Sequence, residues 1–145
     1  MSGAGATLNQ LNLAVRDMHA AVAFYRRLGV DLKTVGDGRH AAAQLANGML
    51  LELDTTDFVP EWDAGFAGST GGTTVLGFSL ASPEAVDEMY AELTGAGYRG
   101  HQPPYDAFWG ARYAIVDDPD GNPVGLMSPI EEELKYWPPR PPGTA

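Results

Sequence analysis

The chain has 145 residues, 9 Lys and Arg against 19 Asp and Glu, a net charge of −10 and no cysteine. That length fits one domain's worth of chain, able to bury roughly two-thirds of the surface its unfolded form exposes. The missing cysteines exclude disulfides, thiolate metal sites and a cysteine nucleophile, and the acidic surface disfavours nucleic acid and anionic membranes as partners. No stretch is long enough to span a bilayer. The opening Met1-Ser2-Gly3-Ala4-Gly5-Ala6 has neither the basic start nor the apolar centre of a secretory signal. The expectation is a soluble, cytoplasmic globular protein.

In chain order, Leu11, Leu13 and Val15 alternate as a strand does, and Asp17 then supplies a helix cap. Met18, Val22, Tyr25 and Leu28 follow as one helical stripe, with Gly29 at the exit. Strand-like runs come next at 31–35, 39–45 and 49–54, with Asn47-Gly48 as the hairpin turn between the last two. The pattern then repeats. A shift of 65 lays Leu11, Leu13 and Val15 on Leu76, Phe78 and Leu80, Asp17 on Ser82, Tyr25 on Tyr90 and Leu28 on Leu93. The second stripe is Val86, Met89, Tyr90 and Leu93, opened by Pro83 at the first helical position and closed by Gly95. Strands at 111–117 and 123–127 pair across Asp118-Pro119-Asp120-Gly121, a type I turn sequence. By these end strands the offset has risen from 65 to 73, an excess of eight residues assigned to 100–109.

Each half therefore reads βαβββ, giving an α+β fold of two tandem modules with curved mixed sheets. Module one spans 7–54, a linker 55–72 and module two 73–130, with an acidic and then proline-rich tail at 131–145. The linker carries Phe58, Trp62 and Phe66, too apolar for a mere spacer. Tyr136 and Trp137 in the tail suggest that it lies across the body or a partner subunit, against the alternative of a frayed terminus.

The entry Leu13-Ala14-Val15-Arg16-Asp17, then Phe24-Tyr25 and Leu28-Gly29, with the exit Asp118-Pro119-Asp120-Gly121-Asn122, resembles the vicinal oxygen chelate superfamily. This is the glyoxalase, bleomycin-resistance and extradiol-dioxygenase group, and the resemblance runs from Leu8 to about Pro129. It implies sheets curled into cups, paired modules enclosing a small-molecule pocket, and a homodimer. In the family's metal enzymes the resemblance implies four ligands, one on the first and one on the last strand of each module. Here those positions hold Gln10, Glu52, Val75 and Gly125. Only Glu52 is a usual ligand, and a catalytic divalent ion generally needs three protein ligands. The expectation is no metal and no cofactor.

Strand alternation turns Gln10, Asn12, Glu52, Val75, Gly77, Ser79, Gly125 and Met127 into the cup, beside the apolar partners that face the helices. Gly77 and Gly125 leave room, and the polar residues supply specificity. Glu52 is the candidate catalytic residue, with three roles open: general base, counter-ion, or a relic held by Gln10 or Arg112. Trp62, Tyr105, Trp109 and Tyr113 are candidate stacking contacts, whereas Phe58 and Phe66 are assigned to a dimer seam or satellite core. Of the histidines, His19 is expected on an exposed helical turn, His40 on a strand from which it can enter the cup, and His101 in a loop, the last two without an identifiable partner. The leading reading is a metal-independent small-molecule-binding protein that sequesters an antibiotic or planar natural product. A metal-free isomerase, cyclase or lyase using Glu52, and an accessory protein with a filled cup, are the alternatives.

Overall fold

Alternation of Leu11, Leu13 and Val15 forms strand β1 (Gln10–Val15), whose apolar side packs inward while Gln10 and Asn12 stay exposed. The Asp17 side chain accepts from the Ala20 N–H and caps helix α1 (Met18–Arg27). Phe24 and Tyr25 are fully buried in an edge-to-face pair with ring centroids 5.0 Å apart. The chain then forms β2 (Lys33–Val35), β3 (His40–Gln44) and β4 (Leu50–Thr55), in the sheet order β1-β4-β3-β2 with β1 and β4 parallel. A 3-10 turn at Val59–Glu61 follows β4.

The second half repeats the plan with β5 (Leu76–Ser79), α2 (Pro83–Gly95), β6 (Gly100–Asp106), β7 (Arg112–Asp117) and β8 (Pro123–Met127), in the order β5-β8-β7-β6. This computed structural model describes Gly5, residues 7–71, residues 74–140 and Pro142, and it divides into two compact units, one ending at Thr70 and the other beginning at Gly71. The module boundary expected at 72–73, the start of the chain at 1–4 and 6, and residues 141 and 143–145 lie outside the described residues. Among the described residues no helix is long and apolar enough to cross a membrane.

Several local expectations are corrected. Strand β2 begins at Lys33 instead of residue 31 because the chain is still turning, with Val30 N–H bonded to the Tyr25 carbonyl and Arg26 holding the Leu32 carbonyl at 2.7 Å. Gly95 is the last residue of α2, and Gly97, at φ +99°, is the residue that leaves it in the left-handed region. The extra length of the second half is not confined to 100–109. Helix α2 has 13 residues against 10 in α1, and β6 has 7 against 3 in β2. Pro103 and Pro104 are tolerated in β6 because it is an edge strand whose register shifts twice along β7. The Asn47-Gly48 hairpin is a three-residue loop in which the Gly48 N–H reaches the Leu45 carbonyl and Gly48 takes φ +90°.

Two polar clusters fix the second unit. Arg112 bonds Asp87 of α2 at 2.9 Å and Asp106 of β6 at 3.2 Å; burial opposes its charge, but these carboxylates prevail and raise its pKa. Asp118 is buried, and its carboxylate accepts the Asp120 N–H, the Asn122 N–H and the Asn122 amide, each at 2.8 Å. The tail belongs to this unit: the Tyr136 N–H bonds the Phe108 carbonyl, the Tyr136 hydroxyl donates to the Asp106 carbonyl, and Trp137 meets Phe108 edge-on. Replacing Asp118 by Ala strands buried donors in the β7–β8 turn, so Asp118→Ala should lower stability by about 2–4 kcal/mol in urea unfolding. A loss below 0.5 kcal/mol, taken as roughly the level of a neutral surface change, would contradict that role.

Candidate functional site

The second unit's sheet carries two rows of side chains set by strand register. Tyr105, Tyr113, Met127 and Ser79 align across β6, β7, β8 and β5, and Ile115, Gly125 and Gly77 align in the next row. A Cβ on Gly125 would lie 2.6 Å from the Tyr113 hydroxyl, so the missing side chain lets the tyrosine lean along the sheet. A Cβ on Gly77 would meet nothing within 4 Å. The vacated space is a cleft of about 450 Å³ lined by Val75, Gly77, Phe78, Ser79, Trp109, Tyr113 and Met127. Trp109 stands edge-on to Tyr113, with centroids 5.2 Å apart, and its indole N–H points at the Met127 sulfur at 3.2 Å.

Among the described residues no charged side chain lines this cleft. Burial pushes the Tyr113 phenol up, and burial together with Tyr113 and Tyr136 pushes the Tyr105 phenol up. Both therefore stay neutral hydroxyls at neutral pH. The wall is aromatic, soft and uncharged, the chemistry that stacks on a flat apolar ring system.

The first unit has a different cleft, of about 290 Å³, lined by Gln10, Asn12, His40, Glu52, Asp54, Phe58 and Trp62. Register sets Asn12 beside Glu52 and places Asp54 between Ala14 and His40. The Asp54 side chain is 2% exposed, and its carboxylate lies 2.6 Å from His40 Nδ1. On the other side of the ring, His40 Nε2 lies 3.5 Å from Glu52. Gln10 donates its amide to the Asn12 carbonyl oxygen at 2.8 Å. The 3-10 turn after β4 brings Phe58 to 6.2 Å from the His40 ring, beneath the Arg39 guanidinium, and leaves Trp62 more than half exposed.

The residues singled out from the sequence thus fall into two groups. Gln10, Asn12, Glu52 and Trp62 line the first unit's cleft, and Val75, Gly77, Ser79, Trp109, Tyr113 and Met127 line the second's. Tyr105 packs edge-on against Trp109 and Tyr113, and buried Gly125 lies under the Tyr113 ring. His40 and His101 both have carboxylate partners, contrary to expectation. His101 lies on β6, not in a loop, with Nδ1 2.7 Å from Asp117. Of the relic partners considered for Glu52, Gln10 donates to Asn12 instead, and Arg112 belongs to the second unit, where it bonds Asp87 and Asp106. Phe58 lines a cleft where a seam or satellite core was expected. His40, Asp54 and Phe58 were not among the candidate site residues, although strand position lets His40 enter the cup and Asp54 shares the parity of Glu52.

Val75 and Gly125 carry no donor atom, and Gln10 is a neutral amide. Among the described residues no three His, Cys, Asp or Glu side chains gather as a metal site. These residues do not fit a divalent ion held by three protein ligands.

The profile of the Glyoxalase/Bleomycin resistance protein/Dioxygenase superfamily matches residues 7–126. A crystal structure of a glyoxalase/bleomycin resistance protein/dioxygenase from Nocardioides is 27% identical, with a TM-score of 0.71 over 90% of this chain and 87% of that one. A glyoxalase-related enzyme from Fulvimarina pelagi is 22% identical, with a TM-score of 0.74 over 85% and 88%. A lactoylglutathione lyase from Agrobacterium tumefaciens is 19% identical, with a TM-score of 0.64 over 86% and 95%. At these last two identities the likeness is one of fold. No curated protein matches the chain. Repeat, sheet order and profile agree: the chain belongs to the glyoxalase/bleomycin resistance protein/dioxygenase superfamily.

Proposed function

We propose that the protein binds a planar, largely apolar small molecule without a metal ion, in the manner of an antibiotic- or natural-product-sequestering member of its family. The observation that carries this reading is the second unit's cleft. Two positions where the family's metal enzymes would offer donors are Val75 and Gly125, and the space beside them is walled by Trp109, Tyr113 and Met127. A volume of about 450 Å³ suits a ligand of modest size. Ser79 and the neutral Tyr113 hydroxyl supply a few hydrogen bonds for orientation.

The test is a thermal-shift screen of planar metabolites and antibiotics in the presence of EDTA, since a ligand that binds only the folded state raises Tm. Hits should quench tryptophan emission through Trp109. Gly77→Val should abolish the shift by placing a branched side chain in the open space, while leaving the unliganded Tm nearly unchanged. Hits that bind Gly77→Val as well as the unsubstituted protein, or that need an added divalent ion, would contradict the reading.

We further propose that the chain pairs as a homodimer. Exposed Leu8, Val35, Trp62, Val75 and Trp137 support this, because they leave apolar surface on both units. Light scattering at micromolar concentration should give the mass of two chains; a single-chain mass that persists on concentration would refute it.

A further inference from the structure

We propose that His40 is a proton-transfer residue, oriented by buried Asp54, and that the first unit's cleft acts on planar molecules bearing an acidic C–H. The inference stands apart from the second unit's cleft and from any role of Glu52 as the base.

The geometry begins with Asp54. A carboxylate whose side chain is 2% exposed needs a partner, and the imidazole of His40 directly across the β3–β4 ladder supplies one at 2.6 Å. An ionised carboxylate can only accept, so the proton at that contact sits on Nδ1. This fixes both the tautomer and the orientation of the ring. The lone pair is then on Nε2, which lies toward Glu52 and the cleft, in a side chain 27% exposed. Here a carboxylate that is itself buried chooses which nitrogen is basic, and the basic nitrogen faces a cleft. Phe58 and Trp62 border the same space, giving a flat molecule a surface to rest on above the strand. The Asn12 carbonyl oxygen is taken by Gln10, which leaves the Asn12 amide N–H groups to meet an oxygen that gains negative charge.

The chemistry this permits is removal of a carbon-bound proton by His40 Nε2 and its return to a neighbouring atom of the same molecule, an isomerisation with no oxidant or co-reactant. Asp54 is a positioning residue, since it acts through His40. Glu52, 3.5 Å from Nε2, stabilises the imidazolium that carries the proton between the two atoms.

The probe is 5-nitrobenzisoxazole, a planar heteroaromatic with one acidic C–H. The base takes that proton, the C–H electrons form the nitrile, the N–O bond breaks and the ring opens to one molecule, the coloured cyanophenolate; the imidazolium then returns its proton to the buffer. The unsubstituted protein, treated with EDTA, should eliminate the probe faster than buffer. His40→Asn keeps a donor for Asp54 but removes the base, and should lower kcat/KM about tenfold or more. Asp54→Asn should lower kcat with little change in KM. His101→Ala removes an exposed histidine with the same kind of Asp contact and should leave the rate unchanged. Nitrogen shifts of the His40 ring in the unsubstituted protein give a readout that needs no variant, and should show the proton on Nδ1. A proton on Nε2, or a rate that His40→Asn does not lower, would overturn the proposal.

Discussion

Each sheet is closed by a parallel pair, β1 with β4 and β5 with β8, and that pairing governs the rest of each unit. A parallel connection needs a crossover, here a helix, and the helix covers one face of the sheet. Leu51, Leu53, Leu76, Val124 and Leu126 are consumed by that packing and are almost wholly buried. The opposite face is left to residues of the other parity. What stands at those alternate positions decides what each unit can bind, because the core is already satisfied without them.

The two halves use this freedom differently. In the first, the free face holds ionisable and amide groups, and the buried Asp54 ties His40 into a fixed orientation. In the second, glycines at two adjacent positions remove side chains, and Tyr113 and Trp109 border the vacated space. A duplicated βαβββ scaffold therefore carries one polar and one aromatic cleft, with the difference confined to residues that contribute little to the core.

The architecture was legible because it rests on period and turn chemistry: alternation in β1 and β5, the Asp17 and Ser82 caps, and the Asp118-Pro119-Asp120-Gly121 turn are all local. Strand parity also points to Gln10, Asn12 and Glu52 of the first cleft and to Val75, Gly77, Ser79 and Met127 of the second. What escaped the sequence was non-local. Nothing in the run 40–54 states that His40 and Asp54 meet, because that depends on the exact length of the Asn47-Gly48 loop. Likewise Pro103-Pro104 read as a loop, since local sequence does not say that the strand lies at a sheet edge where missing donors go unmissed. The excess of eight residues, assigned to 100–109, falls partly there, in the longer β6, and partly upstream in the longer α2.

The central claim, ligand capture by the second unit's aromatic cleft without a metal, is tested most directly by NMR titration of EDTA-treated protein with a compound that stabilises it. The Trp109 indole N–H points at the Met127 sulfur and both residues line the cleft, so the indole N–H and the Met127 methyl report on it. Both signals should move together and saturate with the same Kd as the thermal shift. Shifts that leave Trp109 and Met127 in place, or that appear only after zinc, nickel, manganese or iron is restored, would contradict the account.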